Sequence, residues 1–274
     1  MNGTDALLAG WRDDLASWAI PREILDQAPA APWATERAVF IQRAADRKRS
    51  PRGNSYRRAA EALPSGGALL DVGAGAGAAS LPLLERASLL VAVDQDAELL
   101  RALKVEAGTD RSKVRTILGS WPEVAASAPV VNVVVCHHVL YNVAELGPFI
   151  TALEGHARRR VVIEITAQHP VAWLNPLWER FHGLARPSWP TGEQAVAAIE
   201  GLRGPVNVER ERLAPQGDAA AWSELVARAG RRLCLAPERA AEVAAALEAE
   251  GARPGDPASW PAANQDVITI WWDL

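Results

Sequence analysis

The chain is expected to fold as a doubly wound α/β protein, a seven-stranded and mostly parallel sheet with helices on both faces, preceded by a helical extension. Three observations carry that expectation. From Gly67 onward, short aliphatic runs alternate with amphipathic segments, the pattern of strands buried on both faces and joined by crossover helices. The first run empties into a glycine-rich segment, Asp71-Val72-Gly73-Ala74-Gly75-Ala76-Gly77, of the kind that lets a ligand lie against bare backbone. Ahead of both, residues 1–63 carry helical rather than strand periodicity.

Within residues 1–63, read as a helical cap, Leu7, Leu8, Trp11, Leu15 and Trp18 recur at three- and four-residue spacing, and Pro21, Pro29 and Pro32 divide the region into short helices. Residues 64–274 read as one domain. Its strands are expected at Ala68–Val72, Leu89–Asp94, Val114–Leu118, Val130–Cys136 and Arg160–Ile165, then at Val206–Leu213 and Asp266–Trp272. A helix is expected to begin at the glycine-rich segment. Residues 167–203, rich in tryptophan and proline, form a helical stretch that suits a lid, and helices at Ala219–Ala229 and Pro237–Leu247 separate the last two strands.

The chain has 274 residues, 49% of them hydrophobic, and a formal net charge of -4, the balance of a globular protein able to bury a sizeable core. No apolar run reaches the ~18 residues of a membrane span. The opening Met1-Asn2-Gly3-Thr4-Asp5 lacks the layout of a secretory signal, so a cytoplasmic location is expected. Cys136 and Cys234 form no CxxC pair, which argues against a disulfide framework or a structural zinc site. His137, His138, Glu164 and His169 lack the spacing of a metal-binding motif, and no metal is expected.

The glycine-rich segment also fits a looser GxGxxA dinucleotide pattern through Gly73, Gly75 and Ala78. Asp71, two residues before the first glycine, and the long helical lead-in weigh against a nicotinamide cofactor. Asp94, followed by Gln95, closes the second strand, where a carboxylate can accept both hydroxyls of a ribose; it could equally cap the next helix. The third strand ends in Gly119-Ser120-Trp121, a small polar group and a flat indole suited to a stacked purine or, for Trp121, to the core.

With these segments in view, the chain resembles the class I S-adenosylmethionine-dependent methyltransferases. The run from Asp71 through Gly73, Ala74, Gly75 and Gly77 is similar to their first motif, Asp94 to their ribose-binding acid, Gly119-Ser120-Trp121 to their adenine edge and Asn132 to Val143 to their fourth motif. The likeness covers residues 50–166 and implies strand order 3-2-1-4-5-7-6 with the last strand antiparallel. It implies S-adenosyl-L-methionine as cofactor, S-adenosyl-L-homocysteine as product, backbone near Cys136 facing the methionine end, and an arginine such as Arg57 answering the cofactor carboxylate. The family often has aspartate where Asn132 stands and an acid where Ser120 stands.

The fourth strand empties into His137-His138-Val139-Leu140-Tyr141, at the sheet end where ligands gather in parallel sheets. A sulfonium methyl is already electrophilic, so the protein must align an acceptor and, where needed, take its proton. His138, then His137, are the candidates for that base, with Tyr141 behind them. Glu164, inside an aliphatic strand, must be paired or reach the cleft. His169, Trp173, Trp178 and His182 are candidates for substrate contact if residues 167–203 form a lid.

The leading reading is a methyltransferase acting on a small molecule. An RNA methyltransferase or RNA-binding protein on the same fold is the alternative, motivated by Arg43, Arg47, Lys48, Arg49, Arg52, Arg57 and Arg58; a third is a cofactor-binding module without turnover.

Overall fold

A computed structural model describes residues 3–34, 36–212, 222–260 and 266–274. Its centre is a seven-stranded sheet in the order β3-β2-β1-β4-β5-β7-β6, built from β1 (Gly67–Val72), β2 (Ala87–Asp94), β3 (Val114–Leu118), β4 (Val131–His137), β5 (Ala157–Thr166), β6 (Asn207–Arg212) and β7 (Asp266–Asp273). The first five pair in parallel, and β7 runs antiparallel to both β5 and β6. This is the expected order, with the last strand antiparallel as expected. The aliphatic runs explain it: residues 69–72, 90–93, 133–136 and 161–166 are buried throughout, which only a sheet covered on both sides permits. Leu213 and Ala219, expected at the end of the sixth strand and the start of the next helix, lie outside the described residues.

Ahead of the sheet come α1 (Gly3–Ala16), α2 (Arg22–Leu25), α3 (Arg37–Arg49) and α4 (Asn54–Ala62). Ile24 of α2 packs on a third cluster, and the other three helices divide between the two faces of the sheet. Trp11 of α1 is 1% exposed and joins the cluster on one sheet face with Phe149 and Trp272, whereas Ala44 of α3 and Ala59 of α4 join the cluster on the other. The covering helices of the sheet are α5 (Ala97–Ala107), α6 (Leu146–Gly155) and α8 (Gly192–Arg203). The third cluster joins α7 (Asn175–His182), α9 (Trp222–Arg232) and α10 (Ala240–Ala249) around Leu177, Trp178, Leu225 and Leu247.

One expectation is corrected here. No α-helix follows β1: residues 73–86 are turns and a single 3-10 turn at Leu81–Leu83 before β2 begins. Gly73, Gly75 and Gly77 all take positive φ, which breaks helical continuation, and Pro82 denies the next turn its amide hydrogen bond. Among the described residues no helix is long and apolar enough to cross a membrane.

Candidate functional site

A cavity of about 780 Å³ opens at the carboxyl ends of β1, β2, β4 and β5, with α3 lying across it. One end is built by the glycine loop. The amides of Gly73 and Ala74 both donate to the Val93 carbonyl at 2.9 Å, folding the loop back over β2. A Cβ at Gly73 would stand 2.3 Å from the Val139 side chain, and one at Gly75 would face Phe40 of α3 at 3.7 Å, with φ +71° and +52° adding strain. Only glycine keeps this wall low.

Asp94 sits beside that wall. Its Oδ2 accepts the Gly75 amide at 2.7 Å and its Oδ1 the Asp96 amide at 2.8 Å, while each oxygen keeps a further lone pair and the residue lines the cavity. The helix N-cap is Asp96 instead, whose side chain accepts from the amides of Glu98 and Leu99 at the start of α5. Asp94 thus keeps acceptor capacity at the cavity wall. Gln95, Gly119, Ser120 and Trp121 continue the same wall, with Gln95 Nε2 3.4 Å from Ser120 Oγ. Trp121 is 8% exposed, its ring edge-on to His156 at 4.9 Å.

The other end gathers the histidines. His138 takes φ +57°, an uncommon conformation for a residue with a Cβ. Its amide donates to the Glu164 carbonyl at 2.7 Å and its Nε2 lies 3.0 Å from Glu164 Oε1. Ser55 of α4 donates to Glu164 Oε2 at 2.5 Å. Burial pushes the Glu164 carboxyl up, but the hydrogen bond from His138, the fields of both histidines and the Ser55 hydroxyl outweigh it and hold the group well below the usual range. A carboxylate only accepts, so Nε2 of His138 carries hydrogen and Nδ1 is left as the basic atom. His137 also lines the cavity; burial lowers its pKa to about 4, and its Nε2 has no partner among the described residues.

Other sequence-predicted candidates lie off the cavity wall. Asp71 is fully buried behind the loop, accepting from Ser80 Oγ at 2.5 Å, and burial raises its pKa to about 7. Gly77 packs against Leu81 and Leu103, and Cys136 is fully buried in β4. Arg57 turns away to Asn54 and Glu209. Tyr141 donates to the Thr166 carbonyl at 2.8 Å, and its ring stacks on Trp11 at 5.8 Å. His169 stacks on Trp18 at 3.7 Å, and His182 meets the Leu233 carbonyl at 2.7 Å. Trp173 and Trp178 pack into the third cluster. Asn132 Oδ1 accepts the Ala68 amide at 2.8 Å, stitching β4 to β1 at the far edge of the sheet.

Sequence reasoning placed Arg43, Arg47 and Arg52 in a basic run suited to RNA and passed over Arg37 and Phe40. Arg37, Phe40, Arg43 and Arg47 all line the cavity, as do Arg52 and Ser55. The signal was there: 37, 40, 43 and 47 fall at three- and four-residue spacing, one face of a helix. Arg37 is anchored to Asp96 at 2.8 Å, tying α3 to the start of α5.

Residues 70–161 match the family described as a methyltransferase domain. No curated protein matches the chain in sequence. Among solved structures, the YcgJ protein of Bacillus subtilis is 16% identical and aligns over 80% of this chain and 97% of its own, with a TM-score of 0.53. A cyclopropane-fatty-acyl-phospholipid synthase-like protein of Lactobacillus casei is 13% identical over 92% of this chain and 98% of its own, also with a TM-score of 0.53. At such identities the likeness is one of fold.

Proposed function

This chain is a class I S-adenosylmethionine-dependent methyltransferase, and we propose that its acceptor is a small molecule aligned, and deprotonated where it carries a proton, by His138. S-adenosylmethionine is the cofactor and S-adenosylhomocysteine the product. The residues fit the group: Asp94 keeps lone pairs for ribose hydroxyls, the low wall of Gly73, Ala74 and Gly75 admits a ligand to backbone, and Gln95, Ser120 and Trp121 frame the base. When bound, the cofactor supplies an electrophilic methyl on a sulfonium.

The observation that carries the reading is the relay Ser55–Glu164–His138 at the cavity floor. Ser55 and the β5 backbone fix Glu164, Glu164 fixes the imidazole and its tautomer, and Nδ1 of His138 is free to accept a proton. Glu164 acts through His138 and is a positioning residue.

A small acceptor is favoured over RNA by where the basic run goes. Lys48 reaches the Glu106 carbonyl, Arg49 pairs with Asp46, and Arg57 and Arg58 both reach Glu209. Backbone or acidic oxygens already answer these four groups, and the rest of the run, Arg43, Arg47 and Arg52, lines the cavity, an arrangement that favours a ligand within it over a strand laid along the surface. The cavity is also of ligand size, within the roughly 300–1,000 Å³ of small-molecule sites.

Methyl-labelled S-adenosylmethionine, incubated with the protein and a cell extract then separated into RNA, protein and small-molecule fractions, tests the reading. Label is expected in the small-molecule fraction; label in RNA would sink it, and label in no fraction would favour a binding module. With a labelled acceptor in hand, His138→Ala is expected to lower transfer about a hundredfold or more while S-adenosylhomocysteine binding is unchanged.

A further inference from the structure

Helix α3 carries a face of arginines into a cavity whose acids are already engaged. Arg37 is answered by Asp96, but Arg43 and Arg47, one turn apart on the same face, have no carboxylate partner among the described residues. Arg47 donates one hydrogen bond to the Arg52 carbonyl at 2.9 Å and keeps its remaining donors. The one acid on the floor beneath them, Glu164, is held by Ser55 and His138. Asp94 and Asp96 belong to the far wall, tied to the glycine loop and to α5.

The cofactor does not supply the missing anion. It brings one carboxylate but also an ammonium and a sulfonium, so it enters with a net positive charge and deepens the local surplus. An anion entering with the acceptor would answer that charge through paired, charge-assisted hydrogen bonds. On the assignment of this cavity to methyl transfer, we propose that the acceptor carries an oxyanion, a carboxylate or a phosphate, seated between Arg43 and Arg47 with its nucleophile toward His138.

Geometry and electrostatics agree. Arg43 is exposed and Arg47 half-buried on the cavity wall, so a ligand entering the cavity can reach both guanidinium groups. The protein packed around Arg43 and the neighbouring Arg47 charge lower its pKa, and Glu164 opposes them. A guanidinium pair offers forked N–H donors matched to the two oxygens of a carboxylate or to the edge of a phosphate. Phe40, one turn before Arg43 on the same helix face and 41% exposed, offers an apolar surface beside that anion.

The test uses full-length protein saturated with S-adenosylhomocysteine and three probes: benzoate, phenyl phosphate and neutral benzamide, followed by calorimetry. One or both anions are expected to bind at least tenfold more tightly than benzamide. Arg43→Gln and Arg47→Gln should each abolish that preference, with the affinities for S-adenosylhomocysteine and 5′-methylthioadenosine unchanged, which also reports that the variants are folded. Equal binding of benzamide overturns the proposal. So does a tenfold loss of S-adenosylhomocysteine affinity in either variant with 5′-methylthioadenosine unaffected, since that arginine would then serve the cofactor carboxylate. A single-stranded RNA that binds through this pair in place of the small anions also overturns it. Failure of the wild-type protein to bind S-adenosylhomocysteine would instead bring down the cofactor site, and the proposal with it.

Discussion

Asp94 and Asp71 are carboxylates at the ends of adjacent strands, yet their surroundings give them opposite tasks. Asp94 faces the cavity with spare lone pairs, so Asp94→Ala is expected to weaken S-adenosylhomocysteine binding by about 1–3 kcal/mol in calorimetry. Asp94→Asn should lose less, because an amide oxygen can still accept one of the two loop amides. Asp71 is enclosed, and among the described residues only one of its oxygens has a partner. Burial raises its pKa to about 7, with Ser80 pulling the other way and Asp94 adding to the rise. The folded protein therefore holds a proton there that the unfolded chain gives up at ordinary carboxylate pH. The stabilising contribution is complete below about pH 4 and declines as pH rises through 7, by a few kcal/mol on the order of 1.4 per pH unit. Asp71→Asn should flatten that part of the difference in denaturation free energy between pH 4 and 7; identical pH dependence in the two proteins would assign the proton elsewhere. Both acids could be read from their places near strand ends, Asp71 just ahead of the glycines and Asp94 closing β2. The withdrawal of Asp71 from the cavity could not, because that depends on Ser80, nine residues on, folding back beneath the loop.

The central strands β1, β2 and β4 were legible because each carries a continuous aliphatic run that suits burial on both faces. The segment after β1 was not, since it shares its glycines with the many loops that do open into a helix, and Pro82 and the close approach of Val139 decide otherwise. The aromatic stretch between β5 and β6 shows a different limit: its helical spacing is real, but the partners that receive Trp173 and Trp178 lie in α9 and α10, some fifty or more residues away. Among the N-terminal helices, the basic character of α3 drew attention from the arrangement of its arginines on one face. For α1 the spacing singled out Trp11, and its depth came only with the structure. Its Nε1–H donates to the Val143 carbonyl at 2.8 Å, and its ring meets Tyr141. Trp11→Ala is expected to cost about 3–5 kcal/mol in chemical denaturation, the range for emptying a buried tryptophan site. A change below about 1 kcal/mol would mean that α1 rests on the sheet without being part of its core.

For the molecule as a whole, the sheet is closed by a strand out of sequence. β7 lies between β5 and β6, paired along Arg160 to Thr166 on one side and Asn207 to Arg212 on the other, with the Arg160 guanidinium on the Asp273 carboxylate at 2.7 Å. Removing residues 266–274 is expected to abolish the single cooperative transition in calorimetry, since both β5 and β6 lose their ladder; a sharp transition retained in the shortened protein would show that the five parallel strands stand alone. The same placement sets an order in time. A ribosome releases β6 well before β7, and β6 has no other neighbour in the sheet to wait against. Its Arg210 and Arg212 find Glu193 and Asp266, the latter also late to emerge. During synthesis this edge therefore travels as an unsatisfied backbone flanked by charge, and charged side chains on an open strand discourage pairing with a neighbouring nascent chain. The Arg-Glu alternation of β6, Asn207-Val208-Glu209-Arg210-Glu211-Arg212, is then a safeguard of biogenesis as much as a surface of the finished enzyme.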